Sequence, residues 1–445
     1  MGKIIFKNGK IVNEGKIIEG DLLVKNGRIE KIAPFIESSE AQEVDATNKH
    51  IIPGIIDDQV HFREPGLTYK ADIASESSAA VAGGVTTYME MPNTKPSALT
   101  QELLQDKYDI AEKSSYANYS FFMGASNDNI EEVLKTNAQN VCGVKVFMGS
   151  STGKMLVDNE QTLTSIFSKV DNLIATHCED EATIRKNLAI YKERYGDNLV
   201  PQHHPEIRSR EGCYKSSSLA AELAKKYNSR LHILHISTKD ELVLFTNTIP
   251  LKEKRITSEA CVHHMFFEES QYATLGNKIK CNPAIKKESD RSAIFQAVLD
   301  DTIDIIATDH APHTMEEKSR PYIDAPSGLP LVQHSLNIML EFYKEGKISL
   351  EKIVEKMCHT PAICFQVKER GYLREGYHAD LVVVDIENKW TVEKENIFYK
   401  CGWSPLEGRR VQGKIMATYV NGNEVYNHKG NFTQGWGSRI EFDRN

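Results

Sequence analysis

From Ile55 to about residue 308 the chain alternates short apolar runs with segments long enough for helices. The runs at 55–61, 86–91, 119–123, 143–148, 173–177, 231–235, 256–260 and 303–308 predict strands. Segments 70–82, 160–169, 217–227 and 288–299 lie between them and predict helices, and 331–344 predicts one more. Eight strands separated by helical stretches predict an α/β fold of the (β/α)₈ barrel type. An open doubly wound sheet is the competing arrangement, but no G-x-G-x-x-G follows the first strand.

The ends of the chain have a different texture. I-I-F-K-N-G-K-I-V and G-D-L-L-V-K-N-G-R-I-E-K-I-A place Asn-Gly between apolar runs, the sequence signature of hairpins. After about residue 365 the same texture returns in A-D-L-V-V-V-D and I-M-A-T-Y-V-N-G-N-E-V-Y. These patterns predict three units: 1–54 and 366–445 joined as a composite β-sandwich, and 55–365 as the barrel.

Composition narrows the functional classes. A formal net charge of −8 over 445 residues, with both signs interspersed, offers no basic field for nucleic acid. No apolar run reaches the roughly 20 residues of a membrane helix, and no signal-peptide segment opens the chain. The eight cysteines form no C-x-x-C pair and read as reduced thiols. The expectation is a cytoplasmic protein acting on a small molecule, with a homo-oligomer, a dimer, as the guessed assembly.

Chemistry concentrates where the predicted strands stop. In I-I-D-D-Q-V-H-F-R-E-P-G, alternation puts Asp57, Gln59, His61 and Arg63 on one face and Asp58, Val60 and Phe62 on the other. Asn93, Lys145, His177, His235, His263, His264, Asp309 and His313 stand at later strand ends, which converge on one mouth in a barrel. Imidazole and carboxylate from several strands suit zinc or a similar ion, in a catalytic rather than a structural site. Lys145 lies within the apolar run V-C-G-V-K-V-F-M-G, where an ammonium is costly and its pKa falls. Either it reaches the mouth as an ordinary amine, or as a neutral amine it captures CO₂ and becomes a bidentate oxygen ligand.

H-F-R-E-P-G, M-P-N-T, G-V-K-V-F-M, T-H-C-E-D, L-H-I-S-T, C-N-P and T-D-H-A-P-H occur in this order. That ordered set resembles the dihydroorotases of the amidohydrolase superfamily along essentially the whole chain. The resemblance implies reversible ring closure of N-carbamoyl-L-aspartate to L-dihydroorotate at a pair of Zn²⁺ ions. It implies one ion held by His61, a carbamylated Lys145 and Asp309, and the other by Lys145, His177 and His235. Asp309 becomes general base and acid. Arg63, Asn93 and His313 bind the substrate carboxylate, and Asn282 with the backbone of Ser327 and Gly328 contacts the ring. Thr152 is assigned to a covering loop. His263, His264 and Glu179 are expected behind the ligands, and Cys178 and Cys281 as packing. The chain departs from the family at Gln59, where His-x-His is usual, so Gln59 is a weak or absent ligand. Two alternatives follow: an allantoinase- or hydantoinase-like enzyme for neutral rings, or an inactive scaffold.

Overall fold

In the computed structural model, residues 2–150 and 155–444 are described. The eight expected strands form a parallel barrel: Ile55–Val60, Val85–Glu90, Asn118–Phe121, Val144–Phe147, Ile174–His177, Leu231–Ile233, Ile256–Cys261 and Ile305–Ala307. The third strand turns at Phe122 and continues as Met123–Gly124, so one half pairs with Val85–Glu90 and the other with Val144–Phe147. Closure comes from a parallel bridge between Val60 and His310 and from the His61 amide donating to the His310 carbonyl at 2.7 Å.

Helices follow the apolar spacing where a cap defines the start. Glu160–Lys169 buries Leu163, Ile166 and Phe167 on one face, and Asn159 Oδ1 accepts from the Thr162 amide. The helix expected from 217 runs from Arg210 to Tyr227, capped by Ser209. Its first turns bury Gly212, Cys213 and Ser216, residues too small or polar to register as an apolar stripe.

Both termini build one nine-stranded sheet. Its join is the antiparallel pairing of His50–Pro53 with Leu381–Val384, which brings the two ends together as expected. One hairpin expectation needs correction. Asn8-Gly9 is not a turn: Lys3–Asn13 continues through it as a single strand, with a register break between Phe6 and Gly9. Asn8, at φ 58°, donates its amide to Asp21 Oδ1, and the chain reverses instead at Glu14-Gly15, both at positive φ. Asn26-Gly27 does turn between paired strands.

The first barrel strand also departs from strict alternation. Its register against Val85–Glu90 breaks between Asp57 and Val60. Ile56 therefore packs with Met89, Phe122 and Ile305, Asp58 reaches His232, and Gln59 and His61 reach Asp309. Asp58 is not opposite the site face, as alternation required; the bulge lets consecutive residues 58 and 59 both reach groups on facing strands.

A buried ion pair fixes this strand to its neighbours. Glu90 Oε1 accepts from the Phe62 amide at 3.0 Å, Glu90 Oε2 lies 2.5 Å from Lys107 Nζ, and Lys107 donates to the Met91 carbonyl. Burial pushes the Glu90 carboxyl up and the Lys107 ammonium down, while each opposes the shift in the other. Lys107→Met strands the carboxylate and is expected to lower unfolding stability in urea by about 3–5 kcal/mol. Adding Glu90→Gln, which keeps the acceptor for Phe62 without the charge, should restore most of the loss.

Candidate active site

The strands end in backbone that few side chains adopt. Arg63, His235 and Asp309 have φ of 71°, 40° and 46°. Such left-handed conformations in non-glycine residues concentrate at functional sites. Gly328 has φ 133°, and a Cβ there would lie 2.5 Å from the Ala311 carbonyl oxygen, so only glycine fits.

These ends enclose a small polar cavity of about 100 Å³, a space for a compact molecule. Gln59, His61, Arg63, Asn93, Lys145, His177, His235, Asn282, Asp309, Ser327 and Gly328 line it. Eleven residues singled out in the sequence thus meet in one place. His313 lies behind Arg63, with Nε2 3.1 Å from the guanidinium and Nδ1 2.8 Å from Lys70 Nζ. Thr152 lies outside the described residues. Phe147 and Ser150 also line the cavity; the sequence reading did not select them. Phe147 ends the apolar run that carries Lys145, a position that signalled packing alone.

Two donor groups face each other across the floor. His177 Nδ1 is 2.9 Å from His235 Nε2, and His61 Nε2 is 3.1 Å from Asp309 Oδ1. Each ring is anchored from behind: His177 Nε2 meets Glu179 Oε2 at 2.9 Å, and His61 Nδ1 meets Asn93 Oδ1 at 2.8 Å. Such anchoring leaves the opposite nitrogen free for a ligand. Burial lowers the affinity of both rings for a second proton. Glu179 also accepts from Arg208 and Ser150 at 2.6 Å each. Burial alone would raise its carboxyl, but Arg208 and His177 hold it well below the ordinary range.

Lys145 lines the same cavity. Its Nζ is buried with no hydrogen-bond partner among the described residues, 4.5 Å from the centre of the Phe147 ring. Burial pushes its pKa down to about 7, against the attraction of Asp309 and Glu259. An amine of this kind has a substantial neutral fraction at physiological pH.

Gln59 Nε2 donates to Asp309 Oδ1 at 3.1 Å, and its Oε1 lies 3.8 Å from Cys261 Sγ. Its amide therefore engages the carboxylate. Below the floor, His232 Nε2 is 3.2 Å from both Asp58 and Glu259, and Glu259 Oε1 accepts from the His235 amide. Burial works against a charged His232, but the two carboxylates raise it to about 9. His264 Nε2 meets the Pro283 carbonyl, and His263 is buried beside it, the two ring centres 4.2 Å apart. Cys178 and Cys281 are buried thiols, pushed up to about 11 and about 12 by burial.

The amidohydrolase family model matches residues 50–425. The chain belongs to the amidohydrolase family. It is 33% identical over 420 residues to a dihydroorotase of Pyrococcus abyssi, covering 94% of this chain and 93% of that one. A dihydroorotase of Listeria welshimeri is 32% identical over 428 residues, covering 95% and 98%. Among solved structures, the L-hydantoinase of Arthrobacter aurescens superposes with a TM-score of 0.93 at 26% identity, over 99% of this chain and 100% of that one. The dihydropyrimidinase of Brevibacillus agri shares the fold, with a TM-score of 0.88 at 21% identity and complete coverage of both chains. The barrel with its β-sheet domain is thus the family architecture. Among the described residues, no helix is long and apolar enough to cross a membrane.

The orphaned Lys145 amine gives a test independent of catalysis. Lys145→Met fills the same space without a polar atom to desolvate, so metal-free protein should gain about 1–3 kcal/mol of stability. Urea denaturation in the presence of a chelator measures it; a loss of similar size would mean that the amine has a stabilising partner.

Proposed function

We propose that the chain catalyses the reversible interconversion of N-carbamoyl-L-aspartate and L-dihydroorotate. The observation that carries this reading is Arg63. The residue is 8% exposed, lines the cavity and has no carboxylate within ion-pair distance among the described residues. Its hydrogen bonds run to the Pro312 carbonyl and to His313. A buried cation with only neutral partners is suited to an anionic ligand, and the planar fork grips a carboxylate at two points. Neutral hydantoin rings leave it unpaired, which is why dihydroorotate is favoured over the substrates named for the structural relatives.

The donor set fits two zinc ions. His61 and Asp309 would hold one, His177 and His235 the other, with Lys145 between them as a carbamate. The lone pair of the neutral Lys145 amine would form a bond to the carbon of CO₂ while one C=O π pair moves onto oxygen, and the proton then lost from nitrogen would pass to solvent, leaving an anion with two oxygens. When bound, the ions supply a lowered pKa for water and polarisation of the ring carbonyl. Arg63 would fix the ring by its carboxylate, and Asn282, Ser327 and Gly328, which line the same cavity, would contact the ring amide. In the hydrolytic direction Asp309 accepts the proton from the attacking water and delivers it to the ring nitrogen as the carbon–nitrogen bond breaks. Ring closure runs through the same transfers in reverse.

Turnover of carbamoyl aspartate, dihydroorotate, allantoin and hydantoin on one preparation tests the assignment. Arg63→Met should lower kcat/KM for dihydroorotate by about 30- to 1000-fold, the worth of a charge-assisted bidentate contact. Normal turnover of dihydroorotate by that variant, or a preference of the parent for neutral rings, would sink the reading.

Gln59 generates a second expectation. Its amide is turned to Asp309, and an amide oxygen is a weaker zinc ligand than imidazole. Dialysis against a weak chelator should therefore remove the ion at His61 and Asp309 before the one at His177 and His235. Gln59→His should slow the first loss, with stoichiometry followed by elemental analysis. Simultaneous loss of both ions, unchanged in the variant, would refute unequal binding.

A further inference from the structure

The roomiest cationic cavity lies at the opposite end of the barrel. It holds about 430 Å³ where the strands Leu231–Ile233 and Ile256–Cys261 begin, so it opens away from the mouth where those strands end. Leu173, Leu251, Val367 and Tyr372 supply apolar wall.

Most charges around it are already matched. Lys254 pairs with Asp304 at 2.7 Å, Arg374 with Glu14 at 2.5 Å, Glu369 with Arg28 at 2.6 Å, and Arg370 with Asp380. Three cations are not. Arg230 donates to the Cys364 carbonyl and to Gln366, Arg255 donates to the Asn228 carbonyl, and Lys252 has no ion-pair partner among the described residues. The remaining acid on the wall is Asp443, whose side chain likewise makes no ion pair among the described residues. The groups left unmatched, three cations and one acid, therefore carry an excess of two positive charges. Arg230 is half-buried, and its guanidinium is pushed down first by burial and then by Arg255 beside it. Two neighbouring guanidiniums repel each other unless an anion lies between them.

We infer that this cavity binds a small phosphate monoester, with the phosphate dianion held by Arg230 and Arg255 and the organic part against the apolar wall. A dianion matches the excess charge, and guanidinium forks match phosphate oxygens. Free phosphate leaves most of a 430 Å³ cavity unfilled. No nucleophile paired with a base lines the cavity, so the ligand is bound and not transformed. The floor connects to the active site: Thr257 lines the cavity and its Oγ1 is 2.8 Å from His232 Nδ1. His232 meets Glu259 at 3.2 Å, and Glu259 accepts from the His235 amide at 3.1 Å. An effector is the role this placement fits. The inference does not depend on which ring the mouth hydrolyses.

Titration calorimetry on the full chain tests it with inorganic phosphate, ribose 5-phosphate, uridine 5′-monophosphate and uridine, each to about 10 mM. The phosphate esters are expected to bind saturably and uridine not at all. Affinity should fall about tenfold or more in Arg230→Gln and in Arg255→Gln, and stay unchanged in Arg63→Met. Arg255 and Lys252 are exposed, so Lys252→Gln/Arg255→Gln leaves the core untouched and reads the site even if Arg230→Gln folds poorly. Absence of saturable ester binding overturns the proposal. So does binding lost in Arg63→Met but not in the other variants, which assigns the anion to the mouth. Equal affinity for inorganic phosphate and for the esters overturns recognition of a monoester.

Discussion

The barrel closes along the seam between Ile55–Val60 and Ile305–Ala307, and the His61–Asp309 half of the candidate metal site hangs from that seam. Asp57 Oδ2 accepts from Thr308 Oγ1 at 2.6 Å, and the His61 amide donates to His310. Thr308 and His310 flank Asp309, and Asp57 and His61 flank Gln59. The two hydrogen bonds therefore set the separation from which Asp309, Gln59 and His61 meet. Burial raises the Asp57 carboxyl to about 7, while its bonds to Thr308 and Gln59 favour the charged form and limit the rise. A carboxyl in this setting costs less as a seam than an unpaired charge would, because protonation remains open to it.

Everything above the seam runs against stability. Arg63, His235 and Asp309 occupy left-handed backbone, each at a cost of about 1–3 kcal/mol. Among the described residues Lys145 is buried without a partner, and Arg63 is buried with neutral ones. The surroundings hold these groups by rigid means: Glu90 with Lys107 under Phe62, Glu179 with Arg208 behind His177, and the Asp58–His232–Glu259 triad beneath His235. The pattern is that of a preorganised polar cavity, in which interactions withheld from the empty site are left for a ligand to complete.

The barrel was legible because its strands are short apolar runs and its helices begin at recognisable caps. The cavity was legible because barrel topology sends strand ends to one mouth, so residues as distant as His61 and Asp309 could be grouped without coordinates. Local geometry was not legible. A bulge between Asp57 and Val60 leaves no mark in composition, and it moved Asp58 into the barrel beside His232. Asn8-Gly9 has hairpin chemistry, but a strand bulge uses the same left-handed asparagine. The cavity at the barrel foot escaped because Arg230, Arg255 and Asp443 come from segments with no motif in common, and that none has an ion-pair partner among the described residues is visible only in three dimensions.

Gln59 joins these strands of argument. An imidazole at this position would add a donor for a metal, whereas the amide adds a hydrogen bond to Asp309 Oδ1, the oxygen that also faces His61 Nε2. The exchange trades charge-neutral ligation for orientation of the proposed proton carrier. The bond from the Gln59 amide keeps the carboxylate's direction whether or not an ion is present, because that bond does not depend on one. Lys145, by contrast, has no such partner among the described residues and is left for what arrives at the mouth. The consequence is an asymmetric centre: Asp309 and His61 are ordered by the protein, and the Lys145 position is ordered by its ligand.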